Sequence, residues 1–251
     1  DVSEYPLAEQ AEKARSTRRI GLGVTGLGDA LIMLGLHYGT DGARDAARDA
    51  LRRIRDAAYR ASIALAEEKG AFPSFDRDAY LAGEFVATLP ADVRDGIARA
   101  GIRNSHLLAI APTGTISLLA NNVSSGIEPV FSYAYTRKNT VGKTFDIIHP
   151  LFGQRLRSAL REEGVRGEEA EGRYKGVMEH VHTTGSIQDI PWLPDTFKRI
   201  FKTALDISWE DHVAMQIALQ RHVHASISKT INMPREATKD DVERAIVMAW
   251  C

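Results

Sequence analysis

The sequence predicts an α/β fold, layered or barrel-like, and three observations carry that reading. Long helical stretches with an apolar stripe alternate with short apolar runs of strand length. The clearest helix opens at Thr40 or Asp41, runs to about Lys69 and stops at Gly70, with Leu51, Ile54, Ala58, Ala61 and Leu65 three or four residues apart. The centre of the chain, AIAPTGTISLLANNVSSGIEP from Ala109 to Pro129, begins inside an apolar run, Leu107 to Ala111, that reads as a buried strand. It is broken at Pro112 and continues as a small-residue turn and a helix start over Ile116 to Ala120.

At 251 residues the chain can form one barrel-sized domain or two smaller ones. Its content of 44% hydrophobic and 26% charged residues is that of an ordinary soluble globular protein. The formal net charge of −1 gives no electrostatic reason to expect nucleic-acid or membrane binding. The longest apolar runs are too short to span a bilayer, and no signal peptide opens the chain. A single cysteine, Cys251, excludes an internal disulfide framework and a cysteine-rich zinc site, and fits a reducing, cytoplasmic compartment. Asp1 at one end, and the run Ala245 to Trp250 before Cys251 with no helix-stop signal, read as the cut ends of a longer polypeptide.

The elements follow in order. Residues 1 to 18 are polar and read as a loop leading into a helix. Arg19 to Leu36 is apolar yet carries Gly21, Gly23, Gly26, Gly28 and Gly35. Glycine costs a helix about 1 kcal/mol against alanine, so this density calls for close packing or for approach to a ligand, with packing the stronger reading. Gly21 to Gly26 fits GxGxxG literally, but no clear strand precedes it and no βαβ unit follows. The arginines and acids of the long helix fall mostly off its stripe and read as a solvated face. Gly70 to Phe75 reads as a corner fixed by Pro73, and Pro90 opens a helix over Asp92 to Ala100. Ser124 to Pro129 is a turn-rich loop and Val130 to Arg137 a strand. His149-Pro150 opens a helix with Leu151, Leu156 and Leu160 on one side, and residues 161 to 173 read as an exposed loop. Ser208 to Asp211 forms a capping box for a helix carrying Val213, Ile217 and Gln220. Ser226 to Met233 reads as a strand ended by Pro234, and Thr238 to Asp241 caps a last helix with Val242, Ile246 and Ala249 facing inward.

The central turn carries the most chemistry. The first N–H groups of a helix lack partners within it and bear partial positive charge, which suits an anion. Gly114 permits close backbone approach, and Thr113, Thr115 and Ser117 add hydroxyls, so a phosphate or diphosphate is the first ligand to consider. The alternative is an ordinary βα turn with a threonine cap; it is not a P-loop, since no Gly-Lys-Ser/Thr follows. Arg137 and Lys138 can meet anionic ligands, although exposed basic residues are usually only solvated. Glu128 can be an acid, a base or a salt-bridge partner, and the structural role is favoured. The HxH pairs His180/His182 and His222/His224 read as helical or helix-terminal, where that spacing splays the rings, so structural histidines are preferred to a metal site.

Arg19 to Asp29 (RIGLGVTGLGD), Asn104 to Pro129, Tyr135-Thr136-Arg137 and Ser228 to Pro234 (SKTINMP) together resemble the large, catalytic subunit of ribonucleotide reductase, in the order that family has them and over nearly the whole chain. The PTGTIS form of the turn and SKTIN followed by proline are similar to the class II enzymes, which use adenosylcobalamin. The Tyr-Tyr pair typical of class I is absent from this sequence. The resemblance implies part, the second half, of a ten-stranded α/β barrel, with residues 1 to 251 as its C-terminal portion. It implies that Pro112, Thr113, Gly114, Thr115, Ile116 and Ser117 cradle the phosphates of a ribonucleoside di- or triphosphate. It further implies dNTP or ATP effectors acting upstream, a thioredoxin-type reductant and a possible homodimer. The thiyl-radical cysteine with its Asn and Glu partners, and the reducing cysteine pair, are expected upstream or elsewhere. Cys251 is given no radical role, no catalytic residue is assigned, and the chain alone is expected to have no reductase activity. The alternatives are a class I large subunit, a non-catalytic nucleotide-binding or assembly fragment that complements a separate chain, and an isolated half-barrel with aggregation-prone strand edges.

Overall fold

In the computed structural model, residues 3–138 and 142–250 are described; the expectations resting on Asp1, Cys251 and the Arg137 side chain lie outside the described residues. The helices in chain order are α1 (Ala8–Thr17), α2 (Leu27–Met33), α3 (Asp41–Lys69), α4 (Arg77–Leu81), α5 (Glu84–Ala87), α6 (Ala91–Ala100), α7 (Ile116–Leu119), α8 (Pro150–Glu162), α9 (Gly167–Thr184), α10 (Asp195–Ile200), α11 (Trp209–Gln220) and α12 (Lys239–Trp250). An antiparallel pair, β1 (Ala134–Lys138) and β2 (Thr144–Ile148), lies between α7 and α8 in sequence, with Thr136 opposite Asp146. No described helix is long and apolar enough to cross a membrane.

The chain divides into two compact units. The first holds residues up to Gly23, Ala46–Ala111 and Ile217–Ser228. Three extended segments run parallel there, the middle one bridging its neighbours at Leu22↔Leu108 and Ile110↔Ile227. Leu22 N–H donates to Leu107 O (2.7 Å) and Ala109 N–H to Leu22 O (3.1 Å); on the other side Ile110 N–H donates to Ser226 O (3.0 Å) and Ser228 N–H to Ile110 O (2.8 Å). The strand expected at Leu107 to Ala111 is therefore the centre of this array. Of the strand expected over Ser226 to Met233 only its start pairs, and residues 229–233 are irregular. The glycines answer to packing: a Cβ on Gly23 would lie 2.6 Å from the Ala109 carbonyl oxygen, and one on Gly21 3.3 Å from Ala109 Cβ. The GxGxxG match is one of the extended segments, not a dinucleotide loop.

Helix α3 has the expected ends, with Ala43 N–H on Thr40 Oγ1 and Gly70 at φ +80°. Its buried stripe is displaced from the expected one. Leu51, Tyr59, Ile63 and Ala66 are buried, whereas Ala61 and Leu65 are exposed. The larger side chains take the interior, and a charged pair goes with them. Arg55 Nη2 meets Asp56 Oδ1 at 2.7 Å, both buried, and Arg55 Nη1 reaches His222 Nδ1 at 3.1 Å. A buried charge is tolerable because it is paired. The Gly70–Phe75 corner is an aromatic cluster of Phe72, Phe75 and Tyr80 with ring centroids 5.4 to 5.9 Å apart.

The second unit holds Val24–Asp45, Pro112–Gln216 and residues from Lys229 on. Its core joins Tyr133, Phe152, Leu156, Leu160, Val177, Val181, Ile187 and Phe201. Three expectations and one alternative, the threonine cap, are corrected here. The strand expected from Val130 starts at Ala134, because Val130 and Tyr133 turn into that core. The loop expected over residues 161–173 shrinks to 163–166: α8 runs to Glu162 and α9 starts at Gly167, with Glu168 and Glu169 at its positive end and an Arg173–Glu169 pair at 2.8 Å. Helix α7 is a single turn without a side-chain cap from Thr115. On α12 Val242, Ile246 and Ala249 face outward; Ala245 is its buried residue, and Arg244 anchors the helix over the Trp209 ring at 5.2 Å. The expected caps at Ser208–Asp211 and Thr238–Asp241 are present, with Asp211 N–H on Ser208 Oγ and Asp241 N–H on Thr238 Oγ1, each at 3.2 Å.

Candidate functional site

Residues Pro112 to Ser117 lie wholly in the second unit. Thr113 adopts φ +53°, a left-handed conformation that a β-branched residue holds only under constraint. The constraint is its hydroxyl, which accepts the Gly126 N–H at 2.6 Å and lies 2.8 Å from Thr25 Oγ1. Thr25 spends its own proton on Ser124 O (3.0 Å), so Thr113 is the donor between the two threonines. Ser117 is buried, its N–H on Thr113 O (2.8 Å) and its hydroxyl on Gly114 O (3.3 Å). Two of the three hydroxyls expected to meet a ligand are thus turned into the protein. Pro112, Gly114, Thr115 and Ile116 are exposed. Among the described residues, the N–H groups of Gly114, Thr115 and Ile116 have no acceptor. With one turn of helix behind them, local amides rather than a long macrodipole supply the positive potential.

The loop that receives Thr113 is held at nearly every residue. Ser124 N–H donates to Asp29 Oδ2 (2.6 Å), and Ser124 O accepts the Gly26 N–H (2.7 Å). Ile127 O accepts the Tyr38 hydroxyl at 2.6 Å. Glu128 takes Lys229 Nζ on Oε2 (2.5 Å) and the Thr230 N–H on Oε1 (2.7 Å), so its structural role is that of a salt-bridge partner. Gly28 lets α2 approach: a Cβ there would lie 2.9 Å from Glu128 O. Asp29 has His149 Nε2 3.0 Å from Oδ1, close enough for an ion pair though misaligned for a hydrogen bond. Burial pushes the Asp29 carboxyl up, but His149 and Ser124 outweigh it and hold the group below the usual carboxylate range.

Lys229 is the centre of the second grip. Its side chain is 0% exposed, and besides Glu128 it reaches His212 Nδ1 (2.7 Å) and Thr230 O (2.6 Å). Burial lowers its pKa and Glu128 opposes the fall. His212 Nε2 lies 2.9 Å from Ala204 O, which makes Nε2–H the donor there and leaves Nδ1 to accept from Lys229. Burial, then the Lys229 charge, push His212 down to about 4. Asp29, Tyr38, His149 and Lys229 were not singled out by the sequence. Asp29 and Lys229 sit inside the RIGLGVTGLGD and SKTINMP stretches, the one signal that could have found them.

The histidines of the HxH pairs are engaged elsewhere. His180 Nε2 pairs with Asp189 (2.7 Å) and His182 Nε2 with Thr136 Oγ1 (2.5 Å). In the first unit His224 stacks on Phe85 (4.8 Å) and His106 (4.3 Å). Among the described residues no group of three or more His, Cys, Asp or Glu is arranged to hold a metal ion. Three cavities of about 330, 390 and 380 Å³ among the described residues are of small-ligand size.

Comparison with known proteins gives a family and a fold. The model of the ribonucleotide reductase barrel domain matches residues 1–251. A vitamin B12-dependent ribonucleoside-diphosphate reductase of Mycobacterium tuberculosis is 39% identical over all of this chain and 32% of its own length. The protein of the same name from Thermoplasma acidophilum is 36% identical over 99% of the chain and 29% of its length. The chain therefore spans about a third of the curated relatives it matches. Among solved structures, the alpha subunit of the class Id ribonucleotide reductase of Actinobacillus ureae superposes with a TM-score of 0.74 at 21% identity, over 99% of this chain and 40% of that one. The two share a fold, as the expected α/β barrel portion requires.

Proposed function

The chain belongs to the ribonucleotide reductase barrel-domain family, and from that premise we propose that it is part of a vitamin B12-dependent ribonucleotide reductase whose Pro112–Ser117 turn holds the substrate phosphates. In this reading the intact protein converts ribonucleotides to 2′-deoxyribonucleotides. A diphosphate substrate is favoured, since the relatives from Mycobacterium and Thermoplasma carry that name. Dependence on adenosylcobalamin is carried over from those names. A thioredoxin-type reductant, nucleotide effectors and a homodimer belong to the same proposal.

The observation that carries the site is the run of three exposed amides at Gly114, Thr115 and Ile116 that have no acceptor among the described residues. They can donate together to phosphate oxygens, with Thr115 Oγ1 beside them, while Thr113 and Ser117 shape the turn from within. The task of such a site is binding and orientation: it fixes the nucleotide at its phosphate end so that the ribose is presented in one geometry. No proton need be transferred at these atoms.

The test separates backbone from hydroxyl. Thr115 has φ −89° and ψ −40°, close to what proline accepts. Thr115→Pro removes the N–H and the hydroxyl; Thr115→Val removes the hydroxyl alone. Titration calorimetry of the intact protein with a ribonucleoside diphosphate is expected to show about a tenfold weaker Kd for the proline variant, the loss of about 1.4 kcal/mol, and about twofold or less for valine. Equal affinity in all three proteins overturns the site.

A further inference from the structure

We propose that Lys229 and Glu128 are positioning residues for the phosphate turn, their ion pair locking the 124–129 loop and, through Gly126 and Thr113, the free amides of Gly114 to Ile116. The inference rests on the reading of that turn as the substrate-phosphate site.

Neither residue is available to a ligand. An ammonium has three protons to donate. Lys229 has three protein acceptors, Glu128 Oε2, His212 Nδ1 and Thr230 O, all within 2.7 Å. A lysine so saturated, with a side chain 0% exposed, is no phosphate ligand. Both oxygens of Glu128 are taken by the consecutive residues Lys229 and Thr230. It therefore joins two chain segments and is not a free acid or base. His212 completes the arrangement as a fixed acceptor, because its other nitrogen is committed to Ala204 O at 2.9 Å.

The consequence lies two residues upstream. Gly126 N–H is shared between Thr113 Oγ1 at 2.6 Å and Thr25 Oγ1 at 3.2 Å. Thr113 is held at φ +53°, a conformation that persists only where the surroundings over-determine it. Freeing Glu128 lets the loop drift, Gly126 leaves Thr113, and Thr113 relaxes. The amides of Gly114, Thr115 and Ile116 then stop converging on one anion. The Lys229 ammonium, with its side chain fully buried, is suited to this because parting it from Glu128 would leave an uncompensated buried charge.

The test uses the intact protein that carries this chain. Lys229→Met alone leaves Glu128 without its partner and can fail to fold, so the decisive variant is Glu128→Gln/Lys229→Met, which leaves no uncompensated charge. Steady-state kinetics should give a KM for the ribonucleoside diphosphate raised about tenfold with kcat within about twofold, and hydrogen exchange at the Gly126 amide should accelerate. A kcat that falls at unchanged KM overturns the positioning role in favour of a chemical one. An unchanged KM in the double variant, beside a raised KM in Thr115→Pro, overturns the positioning role and leaves the turn reading intact. An unchanged KM in both overturns the turn reading and the inference with it.

Discussion

The parallel array of the first unit and the 112–129 segment of the second differ in how far side chains hold them. In the array, backbone meets backbone, as in the pairing of Leu22 with Leu107 and Ala109, or of Ile110 with Ser226 and Ser228. In the segment, side chains of Thr25, Asp29, Tyr38, Thr113 and Glu128 meet the backbone of residues 124 to 127 and 230. A ladder spends N–H groups of the segments it orders on neighbouring backbone. A side-chain clamp orders a loop and leaves the amides of the adjoining turn unspent, which is what a site for an anion requires. The first region should therefore be sensitive chiefly to added atoms, and the second, apart from its close approach at Gly28, to removed ones.

The largest expected effect tests the first half of that statement. Gly23→Ala sets a Cβ against the Ala109 carbonyl oxygen, 2.6 Å away, where only backbone could give way. A loss of about 3 kcal/mol, the upper end for overpacking, is expected in denaturant unfolding. Gly21→Ala, whose nearest atom is a side-chain Cβ at 3.3 Å, should lose less than half as much. Equal losses would mean that the array yields as a whole, and the contrast would fail.

The clamp is next. Asp29→Ala removes the acceptor for Ser124 N–H and the partner of His149, both in buried surroundings. A hydrogen bond to a charged group contributes about 2 kcal/mol, and a loss of that size is expected, with faster exchange at the Ser124 amide and none of the array amides affected. Unchanged exchange at Ser124 would show that the loop is ordered by something other than its side-chain grips.

What the sequence made legible follows the same division. Signals confined to a few neighbouring residues were readable: the stop at Gly70, the start at Pro90, the caps at Ser208 and Thr238, and the break at Pro112. The turn itself was located, but not which of its groups faces outward, because Thr113 is turned in by Gly126, thirteen positions away. Burial that depends on distant partners was misread in the same way. The α3 stripe missed Tyr59 and the Arg55–Asp56 pair, and α12 was given an apolar interior face that Val242 and Ile246 do not have. The clamp joins positions about a hundred apart, Asp29 to Ser124 and Glu128 to Lys229, and no local periodicity encodes such pairs.

The smallest effect is on pH dependence, and it sharpens the comparison because each unit has a histidine pushed well down first by burial and then by different neighbours. His224 is pushed down to about 4 by burial, then by His106 and Arg19. His212 reaches about 4 by burial and the Lys229 charge. Both lie below the ordinary value of 6.5, so between about 6.5 and 4 the unfolded chain binds protons that the folded chain does not. Their contribution is therefore complete above 6.5 and is lost as pH falls toward 4. His224→Phe preserves a ring between Phe85 and His106 and gives up only a long contact to Tyr59 (3.4 Å), so stability at pH 7 should change little while the decline below 6.5 becomes shallower. His212 admits no such replacement, since a phenyl ring would leave Lys229 without its third acceptor. His212→Phe should lower stability already at pH 7, and melting temperatures of the two variants between pH 4 and 8 separate the cases. If His224→Phe lost stability at neutral pH as His212→Phe does, the aromatic stack would be a polar clamp as well, and the two regions would differ less than their geometry indicates.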